Sequence, residues 1–367
     1  MDFKTSIIYL TVLVLVFIFS ALISTANTKS FNRLCLVLVI LFLSFLSGLR
    51  GYSVGSDSYT YAQEFAQGNR GTIEFEPLFS LFVLTLSKFT KSYTVLFIIV
   101  ALITNSLIVV RLQSFSKQYP LSFSIVVYYC LLYFRTFSGM RQLLAVAIIF
   151  WGSKFLFCSK PKWINFSIVL TIAFLIHYSS IISLLLLIPF GFKKTKSFWG
   201  KLFKVIIILA APFLVIVGYG LMMNKYGAFF TTTNSKPTTG IMLAFRFALL
   251  LLICIGYIRL KKNDSGLSVE KDNKNLQIPT IVLCLYEFLY LLFTSFDLIW
   301  PSVGRMAWYF ALFTPLIYSM VLRHQSIRGG ISLIARPMVV LVVGYHLWGV
   351  LNSTSTNLVP YVFFWQI

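Results

Sequence analysis

The chain is 367 residues long; 58% of them are drawn from AVILMFWYC and only 11% are Asp, Glu, Lys or Arg. Mean hydropathy is +0.86, and a soluble domain has about a quarter of its residues charged, so a soluble protein, a disordered chain and a disulfide-stapled scaffold are excluded. The 31 Lys and Arg against 10 Asp and Glu give +21, but they punctuate apolar segments and form no continuous patch, which argues against a nucleic-acid partner.

Apolar stretches that cross a bilayer, or nearly, fall at 6–23, 33–49, 93–110, 121–135, 140–157, 163–176, 178–190, 203–221, 241–258, 278–296, 303–322 and 337–351. The first is longer than a usual signal-peptide core and reads as a retained anchor. A full crossing takes about 20 helical residues. The 121–135 and 178–190 segments are short by that rule and abut Arg135 to Arg141 and His177, which predicts broken helices meeting at a buried site. The 77–91 stretch ends in Lys88 and Lys91 and reads as an interfacial helix within an outer loop at 50–92. A hydrophilic cytoplasmic loop is expected at 259–277. The expected architecture is all-α: one polytopic membrane domain over 1–367 with about twelve transmembrane helices and an outer loop after the second.

With the N-terminus outside, the positive-inside rule collects 20 of the 31 basic residues in inner loops, among them Lys29, Arg111, Lys117, Lys154, Arg323 and Arg336. The other 11 lie outside or at outer helix ends. Five of these are arginines flanked by apolar sequence: Arg50, Arg135, Arg141, Arg246 and Arg305. Arginine at membrane depth costs about 2.5 kcal/mol or more and usually faces a polar cavity. Several guanidinium forks in one cavity suit a phosphate, which arginine meets bidentately. Any one of them can equally snorkel to the headgroups; five doing so is a weaker account.

The outer loop opens with Arg50-Gly-Tyr-Ser-Val-Gly-Ser-Asp57. Gly51 and Gly55 permit a tight turn that holds Asp57 over a cavity mouth beside Arg50. Asp57 is either a base for a hydroxyl nucleophile or half of an ion pair closing the loop. His177, followed by Ser179 and Ser180, sits at a break between two short helices and is either a catalyst or a satisfied core residue. The five cysteines lack paired spacing and read as core. No HExxH, GxSxG or P-loop pattern occurs, and neither a metal nor a cofactor is expected.

In order along the chain, Arg50, Gly55, Ser56, Asp57 and Tyr61, then Arg141 to Ala145 in GMRQLLA, then LIHYSS at 175–180, then Arg305, Tyr309, Phe310 and Pro315 resemble the EpsG family of bacterial exopolysaccharide proteins. That family includes many Wzy-type O-antigen and capsule polymerases. One pattern glycine is displaced, since the chain reads RGYSVGSD. The resemblance implies a GT-C-like bundle in the bacterial cytoplasmic membrane with its site facing outward. It implies a glycosyltransferase that moves a growing glycan from undecaprenyl diphosphate onto a lipid-linked repeat unit, in contact with membrane lipids and with a chain-length regulator as partner. Negative charge gathers on the leaving diphosphate, so preorganised cations are the largest catalytic contribution. Arg141, with Arg50, Arg135, Arg246 and Arg305, is expected at the diphosphate, Tyr61 and Tyr309 at diphosphate or glycan, and Asp57 or His177 takes the acceptor proton, with Asp57 favoured.

Two other classes compete. A flippase for the same lipid-linked unit also needs a cationic cavity, but it calls for inverted repeats and charge reachable from both faces, and neither is evident. An O-antigen ligase should carry its larger outer loop late, whereas here the longest comes early.

Overall fold

The computed structural model describes residues 2–25, 28–68, 75–158, 161–191, 237–263, 278–296, 301–323, 330–352 and 357–367. The expected span at 203–221, most of the 259–277 loop, and Arg70, Glu74 and Asp297 lie outside the described residues. Among those described, the chain is helical throughout, with one isolated antiparallel bridge, Arg50 to Phe363.

The helices are α1 (Phe3–Thr25), α2 (Lys29–Gly48), α3 (Ser58–Gln67), α4 (Pro77–Ser87), α5 (Tyr93–Gln113), α6 (Leu121–Tyr128), α7 (Arg135–Ser138), α8 (Met140–Gly152), α9 (Trp163–Ile176) and α10 (Ile188–Gly191). Beyond the next described stretch come α11 (Pro237–Asn263), α12 (Thr280–Phe296), α13 (Pro301–Met306), α14 (Trp308–Ala311), α15 (Thr314–Leu322) and α16 (Gly330–Leu351). Prolines open α4, α11 and α13, where a missing N–H costs nothing and the fixed φ suits the first turn.

Among the described residues, five helices are long and apolar enough to cross a membrane: Phe3–Ile23, Lys29–Gly48, Tyr93–Gln113, Gly240–Ile258 and Ile331–Leu351. Gly304–Ala311 and Thr314–Leu322, bent by 55° at the break between them, together are long and apolar enough for a broken span or a re-entrant loop. Of the twelve apolar segments expected, five thus stand as full-length helices and one as a bent pair. The others that are described are shorter helices or broken pieces. The α4 helix has 11 residues, roughly 16 Å of rise against a hydrocarbon core of about 30 Å. The loop before it holds an additional helix, α3, where the sequence suggested only an outer loop, and α11 continues into the 259–277 region as far as Asn263.

Both expected breaks are present. After α6 the chain makes a π-helical turn, Tyr129–Tyr133, then the single turn α7, then a non-helical Gly139 (φ −86°, ψ 51°) before α8. Such turns insert one residue into the helical ladder and recur at functional sites. After α9, His177 is extended (φ −156°, ψ 115°) and a 3-10 stretch, Tyr178–Leu187, follows.

Packing is sequential and then closes on itself: α2 lies against α1 and α5, α5 against α8, α8 against α9, and α6 against α1 and α15. Because unpaired polar groups are costly in an apolar interior, buried tyrosines along α6 and the π turn place their hydroxyls on acceptors. Tyr128 donates to Asn105 Oδ1 (3.0 Å), Tyr129 to the Tyr9 carbonyl (2.8 Å) and Tyr133 to that of Leu43 (2.6 Å).

The two ends of the chain meet at one end of the bundle. Tyr361 N–H donates to Thr5 Oγ1 (2.7 Å) and Tyr9 Oη to the Leu358 carbonyl (2.6 Å). The final strip also pins the turn that follows α2: Gly51 N–H reaches Val362 O (2.8 Å), Phe364 N–H reaches Leu49 O (3.0 Å), and Gly55 N–H reaches Asn357 O (2.9 Å). Beneath this turn Arg50 is 1% exposed. Its guanidinium donates to the carbonyls of Ser47 and Phe137 and to Ser58 Oγ, and lies over the Phe97 ring at 4.3 Å.

Gly55 has φ +94°, and a Cβ added there would stand 2.5 Å from the Phe137 carbonyl oxygen. Gly55→Ala should therefore destabilise the folded protein by about 1–3 kcal/mol, measured as a lowered unfolding midpoint in detergent, whereas Gly240→Ala, which meets open space inside α11, should leave the midpoint unchanged or raise it slightly.

Candidate active site

The turn that carries Asp57, the start of α4, the break before α8 and the break after α9 all converge at this same end. The junction is Glu76. Its backbone precedes Pro77 at the start of α4, yet its carboxylate caps nothing. Instead Oε2 accepts from Arg141 Nη1, in the first turn of α8, and Oε1 lies 2.9 Å from Nδ1 of His177. Arg141 is flanked by rings: its guanidinium lies 4.4 Å from the centroid of Phe75, and its Nε is 3.4 Å from the Tyr61 hydroxyl. Aromatic faces favour a cation and limit water around it. The Glu76 side chain is 3% exposed, Arg141 14% and His177 17%, so the carboxylate is at the back and its two partners stand toward the accessible side.

Burial is the largest single influence on Glu76 and opposes ionisation. The hydrogen bond and charge of His177, with the charge of Arg141, outweigh it and hold the carboxyl down at about 2.

Beside this group lies a more exposed pair. Asp57 Oδ2 is 3.7 Å from Arg305 Nη1, and Asp57 Oδ1 accepts from Ser56 Oγ at 2.9 Å. The two pairs are linked through the backbone, because Gln142, next to Arg141, donates to the Arg305 carbonyl at 2.8 Å. One turn beyond Arg305, the Tyr309 hydroxyl lies 3.0 Å from Ser179 Oγ, two residues after His177. The structure thus gathers Asp57, Tyr61, Arg141, His177, Arg305 and Tyr309, which the sequence had singled out from positions up to 252 residues apart.

The remaining three arginines are placed differently. Arg135 stands off the Trp308 ring (5.2 Å) and reaches the Tyr290 hydroxyl at 3.4 Å, beside the group. Arg50 lies under it, its guanidinium taken up by carbonyls and two rings. Arg246 is deep between α11 and α12, 4% exposed, with Nη2 2.7 Å from Glu287 Oε1. Thr314 Oγ1 donates to the other Glu287 oxygen (2.6 Å), Arg246 Nε to Tyr318 Oη (3.1 Å), and the guanidinium lies over Tyr290 (4.5 Å). Arg50 and Arg246, expected at the diphosphate, are thus internal ties. An isolated charge in hydrocarbon finds an internal partner, and both have.

Two carboxylates carry more of this geometry than their sequence context indicated. Glu76 was one acid among several in the outer loop, although an acid immediately before a helix-opening proline was a signal. Glu287 was not singled out, although a lone acid in one apolar span and a lone arginine in another, as here with Arg246, tend to pair. Among the described residues no three or more His, Cys, Asp or Glu cluster to hold a metal.

An all-helical chain with several membrane-length apolar helices and a charged cluster at one end of the bundle is a polytopic membrane protein. Residues 33–363 match the EpsG family, and the chain belongs to that family. EpsG-type proteins are Wzy-like polymerases, which makes this chain a polysaccharide polymerase-like membrane protein. No curated protein and no solved structure matches it.

Two outcomes test the electrostatics. Because folded Glu76 sits below its ordinary value of 4.5, its ionised form contributes stability that is complete above that value and lost as pH falls toward 2. The gap in unfolding midpoint between wild type and Glu76→Gln should close as pH falls from about 4.5 toward 2. Arg246→Met should cost about 3–5 kcal/mol by stranding a buried Glu287, and Arg246→Met/Glu287→Leu should recover most of that loss, both read from unfolding midpoints in detergent.

Proposed function

We propose that the protein polymerises undecaprenyl-diphosphate-linked oligosaccharide repeat units into an O-antigen or capsule-type polysaccharide, at the outer face of the bacterial cytoplasmic membrane. The single observation that carries this is the convergence of Arg141, His177, Glu76, Asp57 and Arg305 from four separated stretches at one end of an apolar bundle, in a member of the EpsG family. Cations beside an apolar wall suit a substrate that has a diphosphate between a sugar and a polyprenyl tail. Arg141 and Arg305, with Arg135 beside them, neutralise the diphosphate as it leaves. Tyr61 and Tyr309 border the sugar, and the acceptor hydroxyl is deprotonated by Asp57 or His177.

Twelve crossings in a GT-C-like bundle fit this reading. An even number returns the C-terminus to the side of the N-terminus, and the contact between Tyr361 and Thr5 supports that. The opposite end also supports an inward assignment. Arg323 there donates to the Gln118 carbonyl and Arg336 to that of Val321, while Arg111 bonds Ser153, all in segments that the charge bias assigns inside. A chain-length regulator would act as a separate partner.

Purified protein supplied with lipid-linked repeat units should yield a ladder of polymers. Arg141→Ala should lower the rate by about 10²–10³-fold, the scale of removing one preorganised transition-state donor. A wild-type protein that only moves the lipid-linked unit between leaflets of a vesicle, with no ladder, would overturn the assignment.

A further inference from the structure

We infer that Glu76 is a positioning residue that holds the His177 ring with its proton on Nδ1, so that Nε2 is the atom that accepts the proton of the incoming sugar hydroxyl. The inference rests on the polymerase reading and decides between the two bases left open there.

A carboxylate oxygen can only accept a hydrogen bond. The 2.9 Å contact between Oε1 and Nδ1 therefore requires the proton on Nδ1, and in the neutral ring this leaves the lone pair on Nε2. Glu76 is kept in its acceptor form, against its burial, because Arg141 occupies the other oxygen. The backbone around the ring is also fixed: His177 N–H donates to Ala173 O (2.9 Å) and its carbonyl accepts from Ser180 N–H (3.0 Å). What remains is rotation of the ring, and the Glu76 bond stops it. A base oriented by a third group is the recurring arrangement for activating a hydroxyl.

Among the described residues, the ionisable groups on elements packed around the ring include Glu76 at the start of α4, Arg141 from α8 across that carboxylate, Tyr61 from α3 beside Arg141, Tyr309 from α14 through Ser179, and Arg305 on α13. Among them Glu76 is the one anion in contact with the ring, so it stabilises the imidazolium that forms. Asp57 is placed for another task, with its oxygens engaged by Ser56 and Arg305 at a more open rim.

In the step itself, the acceptor O–H gives its proton to Nε2 while its oxygen pair forms the new bond to the anomeric carbon. The bond from that carbon to the diphosphate oxygen breaks, and its electron pair leaves with the diphosphate beside Arg141 and Arg305. The imidazolium then returns the proton to the departing diphosphate, which restores the neutral ring.

The test uses the full-length protein labelled with 15N-histidine, in which a His177→Asn sample identifies the ring among the three histidines. The wild-type spectrum should show Nδ1 protonated and Nε2 bare, and Glu76→Ala should lose that preference. Glu76→Gln, whose amide oxygen still accepts from Nδ1, should keep the tautomer. Polymerisation by Glu76→Ala should fall about 10²–10⁴-fold, as for His177→Asn. Glu76→Gln should be partly active, because its amide oxygen still orients the ring. A wild-type ring protonated on Nε2, or full polymerisation by Glu76→Ala with the tautomer lost, would overturn the inference. If Glu76→Ala does not fold, the wild-type spectrum and Glu76→Gln decide it alone. A wild type that makes no polymer overturns the polymerase reading, while the ring spectrum still reports the tautomer.

Discussion

The arrangement of this end of the molecule depends on one carboxylate. Glu76 lies where burial disfavours a charge, and it remains charged because a guanidinium and an imidazole reach it from two other helical segments. Neither partner is near it in sequence: Arg141 is 65 residues away and His177 is 101. The contact therefore joins α4, α8 and the break after α9 at a single point. An uncompensated anion in such surroundings would cost several kcal/mol, so the three segments are held together by the penalty for separating them as much as by attraction.

Two ion pairs of similar composition have different placements. Arg246 and Glu287 are sealed, with both carboxylate oxygens and the guanidinium used up by Thr314, Tyr318 and each other. Nothing in that pair faces outward, and it ties α11, α12 and α15 across the bundle. In the Glu76 group the anion alone is sealed, and the cation and the imidazole stand toward the accessible side. The first arrangement fixes a packing; the second presents a guanidinium and an imidazole from a rigid support. Arg50 belongs with the first kind, since its forks satisfy carbonyls at the end of α2 and at the break before α8, and so hold the Asp57 turn against that break.

Much of this was legible in the chain. Apolar run lengths and punctuating charges reveal a membrane bundle, and short runs beside Arg135, Arg141 and His177 locate the two breaks. The ordered motifs indicate the family. What the pattern did not separate was one lone arginine from another: Arg50, Arg246 and Arg141 have the same apolar flanks, and only the partner across the bundle distinguishes a tie from a site residue. That partner was Glu287 for one, carbonyl oxygens for another and Glu76 for the third, and local spacing encodes none of these. The helix α3 was hidden for a related reason. SYTYAQEFAQ has a weakly apolar composition, and it is held by burial of Tyr61 and Phe65 one turn apart on a single face.

The strip from Asn357 to Phe364 has a consequence for how the protein is made. It supplies carbonyls and N–H groups to Gly51, Gly55 and Leu49, and it bonds to Thr5 and Tyr9 in the first helix. The turn that bears Asp57 is made about 300 residues before the strip that pins it, so it gains these bonds only after that strip has folded back on it. A chain cut before residue 357 would lack the contacts that set this turn.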